Sequence, residues 1–208
     1  MVKQLSNHIV LFLVRQNIIS ESDTEIYEYG IKHIMINIIN LCIVGMLAIY
    51  FRTWAATIGF FIGFMPIRTI AGGYHAKTPS RCNLLSFIIF NLNIYIICVI
   101  SAYMTEEVYF SIGIIIILII FVFAPVDHKN RMLSESEIRQ VKKQSRIVGL
   151  VLVGSGIILF LLQISSNTLL IGALMGSLTS AISLIIGRIV RGGEKNEEIN
   201  KECKQYDS

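Results

Sequence analysis

The chain has 208 residues, of which 54% are hydrophobic and only 15% are charged, and its mean hydropathy is +0.66. Soluble domains have about 45–50% apolar and about 25% charged residues, so this composition excludes an ordinary water-soluble fold. The formal net charge of +4 does not indicate a nucleic-acid partner, because the charges lie between long apolar runs. The composition predicts an integral protein of the lipid bilayer.

The first residues mix polar and apolar side chains. Residues 5–19 alternate Ile, Leu, Val and Phe with polar side chains, a pattern typical of a helix in the headgroup region. A frayed helix that only anchors the chain is the alternative. The apolar run 9–14 is short and no small-x-small cleavage site follows it, so we expect it to be retained. Residues 1–26 are thus predicted to form an interfacial amphipathic helix and an acidic linker.

Six apolar runs follow that almost lack charged residues. One charge at the centre of a membrane helix costs about 2.5 to 3.5 kcal/mol, so such runs predict spans. The second run is short for a bilayer core, so it could thin the bilayer or be partly re-entrant. We predict an all-α, polytopic helical bundle over residues 27–190 and a polar cytoplasmic tail, disordered or surface-bound, over residues 191–208. The predicted spans are approximately residues 33–51, 53–67, 83–103, 108–125, 147–164 and 168–187.

The basic residues predict how these spans are oriented. With the N-terminus in the cytoplasm, every Lys and Arg except Arg52 falls on the cytoplasmic side, as the positive-inside rule requires. Both termini and the loop between the second and third spans are therefore predicted to be cytoplasmic. After the fourth span, Ser134, Glu135 and Glu137 resemble the start of a helix, which predicts a basic amphipathic hairpin near the membrane.

Two glycine motifs lie in the predicted spans. Gly59 and Gly63 are four residues apart, as are Gly172 and Gly176. This small-residue spacing lets membrane helices approach closely and can also support dimerisation. It makes a homodimer possible without establishing one.

Cys82 is the cysteine best placed for chemistry. Cys42 and Cys98 lie in apolar spans and Cys203 lies in the tail, so the spacing predicts neither a disulfide framework nor a zinc site. Thr78 and Pro79 resemble an N-cap and a first helical residue, which would place Cys82 about one turn into the third span. A helix N-terminus and nearby cations stabilise a thiolate nucleophile. These cations are Lys77 and Arg81.

His75 is the natural base for that thiol. It precedes Cys82 by seven residues, which in one continuous helix would separate the two by about 10 Å. Pro79 and the pair Gly72-Gly73 break such a helix, so the chain can turn and bring the imidazole to the sulfur. The plainer alternative is a chance spacing in which the glycines only turn the chain. A metal site with His33 and His128 is also conceivable, although no HExxH or CxxC spacing supports one, and no cofactor is implied.

These residues resemble a known family. The pattern R-x-x-x-G-G-x-H-x-x-x-x-x-x-C and the segment 124–127 are similar to the accessory gene regulator protein B (AgrB) family. The pattern residues are Arg68, Gly72, Gly73, His75 and Cys82. The resemblance implies a cysteine endopeptidase of the bacterial cell membrane that processes a small propeptide into a cyclic autoinducing peptide for quorum sensing. It puts His75 and Cys82 on the catalytic positions. It puts Arg68 and Gly73 on positions needed for activity, through loop shape or contact with a substrate carboxylate.

The basic cytoplasmic face predicts the chemistry of the partner. It suits a propeptide with an acidic C-terminal region, whose amphipathic leader could lie in the same interface. Five residues of the loop 68–82 are expected to support the site or contact this substrate: Arg68, Gly72, Gly73, Lys77 and Arg81. The alternatives are a peptide transporter or exporter without proteolytic activity, a membrane sensor without enzymatic activity, and a metal-dependent peptidase.

Overall fold

The structure is a computed structural model that describes residues 2–74, 79–126, 134–163 and 167–206, with the backbone alone at 79–80 and 194–206. In these ranges it contains helices and no strand. The α-helices are α1 (Val2–Arg15), α2 (Thr24–Tyr50), α3 (Trp54–Ala71), α4 (Pro79–Ile100), α5 (Glu106–Phe123), α6 (Glu135–Leu161) and α7 (Asn167–Tyr206). Helices α2 to α7 are long and apolar enough to cross a membrane. The predicted all-α, six-span, multi-pass bundle is confirmed.

The chain divides into two compact units. The first contains residues 1–52 and 76–89, and the second contains residues 53–75 and 90–208. In the first unit, α1 packs against α2, and Ser6 and Val10 of α1 are fully buried. Leu5 and Phe12 remain more than half exposed. The predicted N-terminal amphipathic helix is therefore present, while its place in the headgroup region stays a prediction.

The core of the second unit is a close contact between α3 and α7. An ideal Cβ built on Gly63 would lie 2.9 Å from the backbone nitrogen of Ser177, and one on Gly176 would lie 2.9 Å from that of Phe64. We call this contact the glycine interface; it is formed by Gly59, Gly63, Gly172 and Gly176. The predicted close approach is confirmed. Since these glycines pack within one chain, a homodimer would have to use another surface.

The contacts also fix the helix directions in this unit. Gly63 lies against Ala173 and Ser177, and Arg68 further along α3 contacts Ser183 further along α7, so α3 and α7 run parallel. The Tyr109 hydroxyl at the start of α5 donates to the Leu170 carbonyl near the start of α7, so α5 runs parallel to both. The C-terminal ends of α3 and α5 therefore meet α7 at one end of the bundle.

Helix α6 runs in the opposite direction, because Gly113 near the start of α5 lies against Val153 and Ile157, while Ile120 near its end lies against Gly149. The predicted start of α6 is confirmed by a capping box: the Ser134 Oγ accepts from the Glu137 backbone N–H at 3.3 Å. No Gly or Pro interrupts residues 135–148. The basic segment of the predicted hairpin is consequently the first part of one continuous helix.

Several helix bounds differ from the predicted spans. Helix α2 begins at Thr24 rather than at residue 33, because its first turns are polar and do not show in a hydropathy profile. The short second span is an 18-residue helix that ends at Ala71. Helix α7 continues to Tyr206 instead of ending near residue 187. Its last part contains Glu, Lys and Gln, which are good helix formers, so a polar tail does not end the helix.

Candidate functional site

Cys82 lies about one turn into α4, as predicted, since Pro79 is the first residue of the helix. Its thiol is free and half-buried, and the neighbouring Arg81 is exposed. The first backbone N–H groups of a helix have no partner within it, so this position offers positive potential and hydrogen-bond donors. The environment suits a nucleophilic sulfur and an anion formed beside it.

In the second unit, Arg68 braces the chain that leads towards His75. It lies in the last turn of α3, half-buried. Its guanidinium Nη1 donates to the Gly72 carbonyl at 3.0 Å and to the Ser183 Oγ at 3.2 Å, and Nη2 donates to the Tyr74 carbonyl. We call residues 72–74 the braced loop. This geometry favours the loop-shape role for Arg68 over direct contact with a substrate carboxylate.

Ser183 of α7 holds the same loop from the other side. The Tyr74 backbone N–H donates to the Ser183 carbonyl at 3.0 Å and to its Oγ at 3.1 Å. Tyr74 is thus held through its N–H by Ser183 and through its carbonyl by Arg68. Ser183 is not apparent as a site residue from the sequence, because 109 residues separate it from Tyr74 and it resembles any other serine in an apolar span.

Glycine is required at both turning positions of the braced loop. Gly72 has φ 80° and Gly73 has φ 134°, and L side chains rarely adopt such angles. A Cβ on Gly73 would also lie 2.7 Å from the Ser183 Oγ and overlap the Arg68 guanidinium. The predicted turn at Gly72-Gly73 is confirmed.

Gly187 allows the braced loop to lie directly on α7. A Cβ at this position would lie 2.8 Å from the Gly73 carbonyl carbon and 2.8 Å from the Tyr74 nitrogen. In the sequence, nothing distinguishes Gly187 from the other glycines of the apolar spans. One turn separates it from Ser183, so the two residues form one contact surface for the loop.

The chain that follows α5 joins this arrangement. The Val126 N–H donates to the Ala71 carbonyl at 3.0 Å, and Val126 forms an isolated bridge with Gly72. The α5 end is anchored in turn by α6, since Arg146 donates to the Phe121 carbonyl at 3.0 Å and stacks over the Phe121 ring. The segment 124–126 therefore helps to fix the backbone at the start of the loop.

Two of the predicted site residues, His75 and Lys77, lie outside the described residues, as does Thr78. Cys82 and Arg81 belong to the first unit, whereas the braced loop belongs to the second. The pairing of His75 with Cys82 accordingly stays a prediction. Among the residues that the structure describes, no three His, Cys, Asp or Glu side chains group as metal ligands would.

Together these features define a class: a helical, multi-pass membrane protein with a cysteine at a helix start and an arginine-braced glycine loop. Comparison with known proteins gives the family. Residues 6–193 match the family model described as accessory gene regulator B, and the chain belongs to this family. Membership supports a role in processing the peptide of agr quorum sensing, and it implies a propeptide substrate in a membrane setting.

Several bacterial proteins described as AgrB-like are similar to the chain. One from Clostridium acetobutylicum is 31% identical over 135 residues, which cover 64% of this chain and 63% of that protein. One from Listeria monocytogenes is 26% identical over 176 residues, covering 82% of this chain and 83% of that protein. AgrB-like protein 2 of Clostridium perfringens is 31% identical over 127 residues, covering 58% and 59%. No solved structure matches the chain.

Proposed function

We propose that this protein is a membrane-embedded cysteine endopeptidase that cleaves the C-terminal part of a small propeptide and so leads to a cyclic autoinducing peptide. The observation that carries the proposal is the free, half-buried Cys82 in the first turn of α4. The family match and the spacing of His75 and Cys82 support it. Cys82 is the nucleophile and His75 is the general base.

The reaction is an acyl transfer in two steps. The Cys82 sulfur attacks the scissile carbonyl, and its proton passes to the His75 imidazole, which then protonates the departing amine. A thioester between Cys82 and the N-terminal part of the propeptide remains. A thiol or hydroxyl of the same peptide attacks this thioester, its proton returns to the Cys82 sulfur through His75, and the ring closes. Backbone N–H groups at the start of α4 stabilise the oxyanion.

Ring closure rather than hydrolysis follows from proximity. The peptide's own nucleophile is tethered to the thioester, so its effective concentration far exceeds that of an untethered competitor. The edge of the membrane also limits access of water.

The proposed substrate follows from charge. We place both termini and the loop 68–82 in the cytoplasm, where the basic residues concentrate. Arg81 is exposed beside Cys82, and Lys77 is close to it in sequence. These cations suit a propeptide with an acidic C-terminal region, and the apolar exposed side of α1 suits an interface shared with an amphipathic leader.

The experiment is to follow propeptide cleavage in membranes for the wild type, His75→Ala, Cys82→Ala and the control Cys98→Ala. Cys98 is a free, exposed cysteine on the same helix, so its loss tests for a general effect of removing a thiol. We expect both site variants to abolish cleavage and the control to retain it. Cleavage that persists in Cys82→Ala would discard the cysteine mechanism, and peptide export that survives Cys82→Ala without any cleavage would favour the exporter.

A further inference from the structure

The backbone of Tyr74, immediately before His75, is fixed on both sides. Its N–H donates to the carbonyl and the Oγ of Ser183, and its carbonyl accepts from Arg68. The Tyr74 carbonyl belongs to the peptide group that links Tyr74 to His75. Because this group is planar and rigid, fixing its carbonyl also fixes the direction in which the chain leaves Tyr74.

Ser183 connects all the parts of this brace. Its Oγ accepts from the Arg68 Nη1 at 3.2 Å and from the Tyr74 N–H at 3.1 Å. The same Arg68 Nη1 donates to Gly72. One hydroxyl of α7 therefore orients the guanidinium fork and also holds the backbone that the fork grips.

We infer that Ser183 is a positioning residue for the reaction: it acts through Arg68 and Tyr74 to set the location of His75. The inference rests on the proposed function, since it assumes that His75 is the base for Cys82. Ser183 does not touch the reacting atoms. Its removal loosens the backbone that leads to the base, so it lowers the rate of the chemical step and leaves substrate binding intact.

Ser180 provides a matched control. It lies on the same helix, and its Oγ donates to the Phe64 carbonyl of α3 at 2.9 Å. Ser180→Ala removes one α3–α7 hydrogen bond. Ser183→Ala likewise removes one, from the Arg68 Nη1, together with the bond that the Tyr74 N–H donates to the Ser183 Oγ. It leaves the braced loop unchanged, so it reports the effect of losing a structural hydrogen bond alone.

The experiment uses the full chain with Cys42, Cys98 and Cys203 replaced by Ala, so that Cys82 is the sole thiol. In Ser183→Ala we expect kcat for propeptide cleavage to fall about 10-fold with KM unchanged, while Ser180→Ala keeps both. The pH profile of Cys82 alkylation by iodoacetamide should move from the wild-type curve towards that of His75→Ala. Loss of kcat in equal measure in both serine variants, or a wild-type alkylation profile in Ser183→Ala, would overturn the inference.

Gly187→Ala is the second variant, used if Ser183→Ala does not accumulate in membranes. The added Cβ would lie 2.8 Å from the Tyr74 nitrogen, so it displaces the braced loop. We expect the same fall in kcat and the same change in the pH profile of Cys82 alkylation. Wild-type values of both would contradict the inference. Failure of the proposed function would give a different result from failure of this inference. In that case His75→Ala itself would cleave propeptide and show the wild-type alkylation profile, whatever the serine variants do.

Discussion

The glycine interface lies between α3 and α7, and the braced loop follows α3 and packs on α7. Both regions use glycine and serine, for different purposes. In the glycine interface, the absence of side chains brings the α3 and α7 backbones together, and Ser177 and Ser180 add hydrogen bonds to α3 carbonyls. In the braced loop, glycine turns the chain, and Ser183 holds the one backbone segment that precedes His75. Substitutions in the first region should therefore affect folding, and substitutions in the second should affect the reaction.

The largest effect is expected from Gly63→Val in the glycine interface. Its Cβ would overlap the Ala173 carbonyl and lie 2.9 Å from the Ser177 nitrogen, so the helices must separate along their whole contact. We expect a stability loss at or above the roughly 3 kcal/mol upper end of ordinary overpacking, with loss of protein from the membrane. Thermal unfolding in detergent measures this effect.

The control for this change is Gly154→Val on α6, where an added Cβ has nothing within 4 Å. It should leave the unfolding temperature almost unchanged. Equal stability of the two variants would mean that α3 and α7 do not depend on glycine for their contact.

The next effect is expected from Arg68→Lys, which changes the α3 residue that holds the braced loop. Lysine keeps the charge but lacks the planar fork that contacts Gly72, Tyr74 and Ser183 together. We expect about a 100-fold fall in kcat, typical of a displaced catalytic group, in a protein that still folds. Arg139→Lys, on an exposed position of α6, should retain full cleavage. If Arg68→Lys fails to fold, Arg68 is required for folding, as the glycine interface is, and not only for the reaction.

The smallest effect is expected from Ser180→Ala. A hydrogen bond between membrane helices contributes about 0.6 kcal/mol on average, so the unfolding temperature should fall slightly. Propeptide cleavage, measured in the same preparation, should be unchanged. A clear loss of cleavage would show that the glycine interface also affects the reaction, and would contradict the separate roles of the two regions.

Features that depend on neighbouring residues were predictable from the sequence. Pro79 gave the start of α4, the Ser134 and Glu137 pair gave the start of α6, and the apolar runs gave the number of spans. The polar first turns of α2 and the polar end of α7 were not found, because hydropathy does not report helices outside the bilayer core. The division between a six-span bundle over residues 27–190 and a tail over residues 191–208 stays a prediction.

Features that depend on contacts between residues far apart in the sequence were harder to predict. The glycine motifs predicted close helix contact, but the spacing cannot say that one motif packs on the other within a single chain. Ser183 and Gly187 acquire their roles only because parallel α3 and α7 bring residues more than 100 positions apart together. Nothing in the serine or its neighbours in the sequence marks it as part of a loop brace.

The most direct test of the proposed mechanism is the intact mass of the protein after a single turnover with its propeptide, quenched in acid to preserve a thioester. We expect an added mass equal to the N-terminal part of the propeptide, mapped to Cys82 and absent from Cys82→Ala. Cleaved peptide with no adduct on Cys82 at any quench time, or the same adduct in Cys82→Ala, would contradict it.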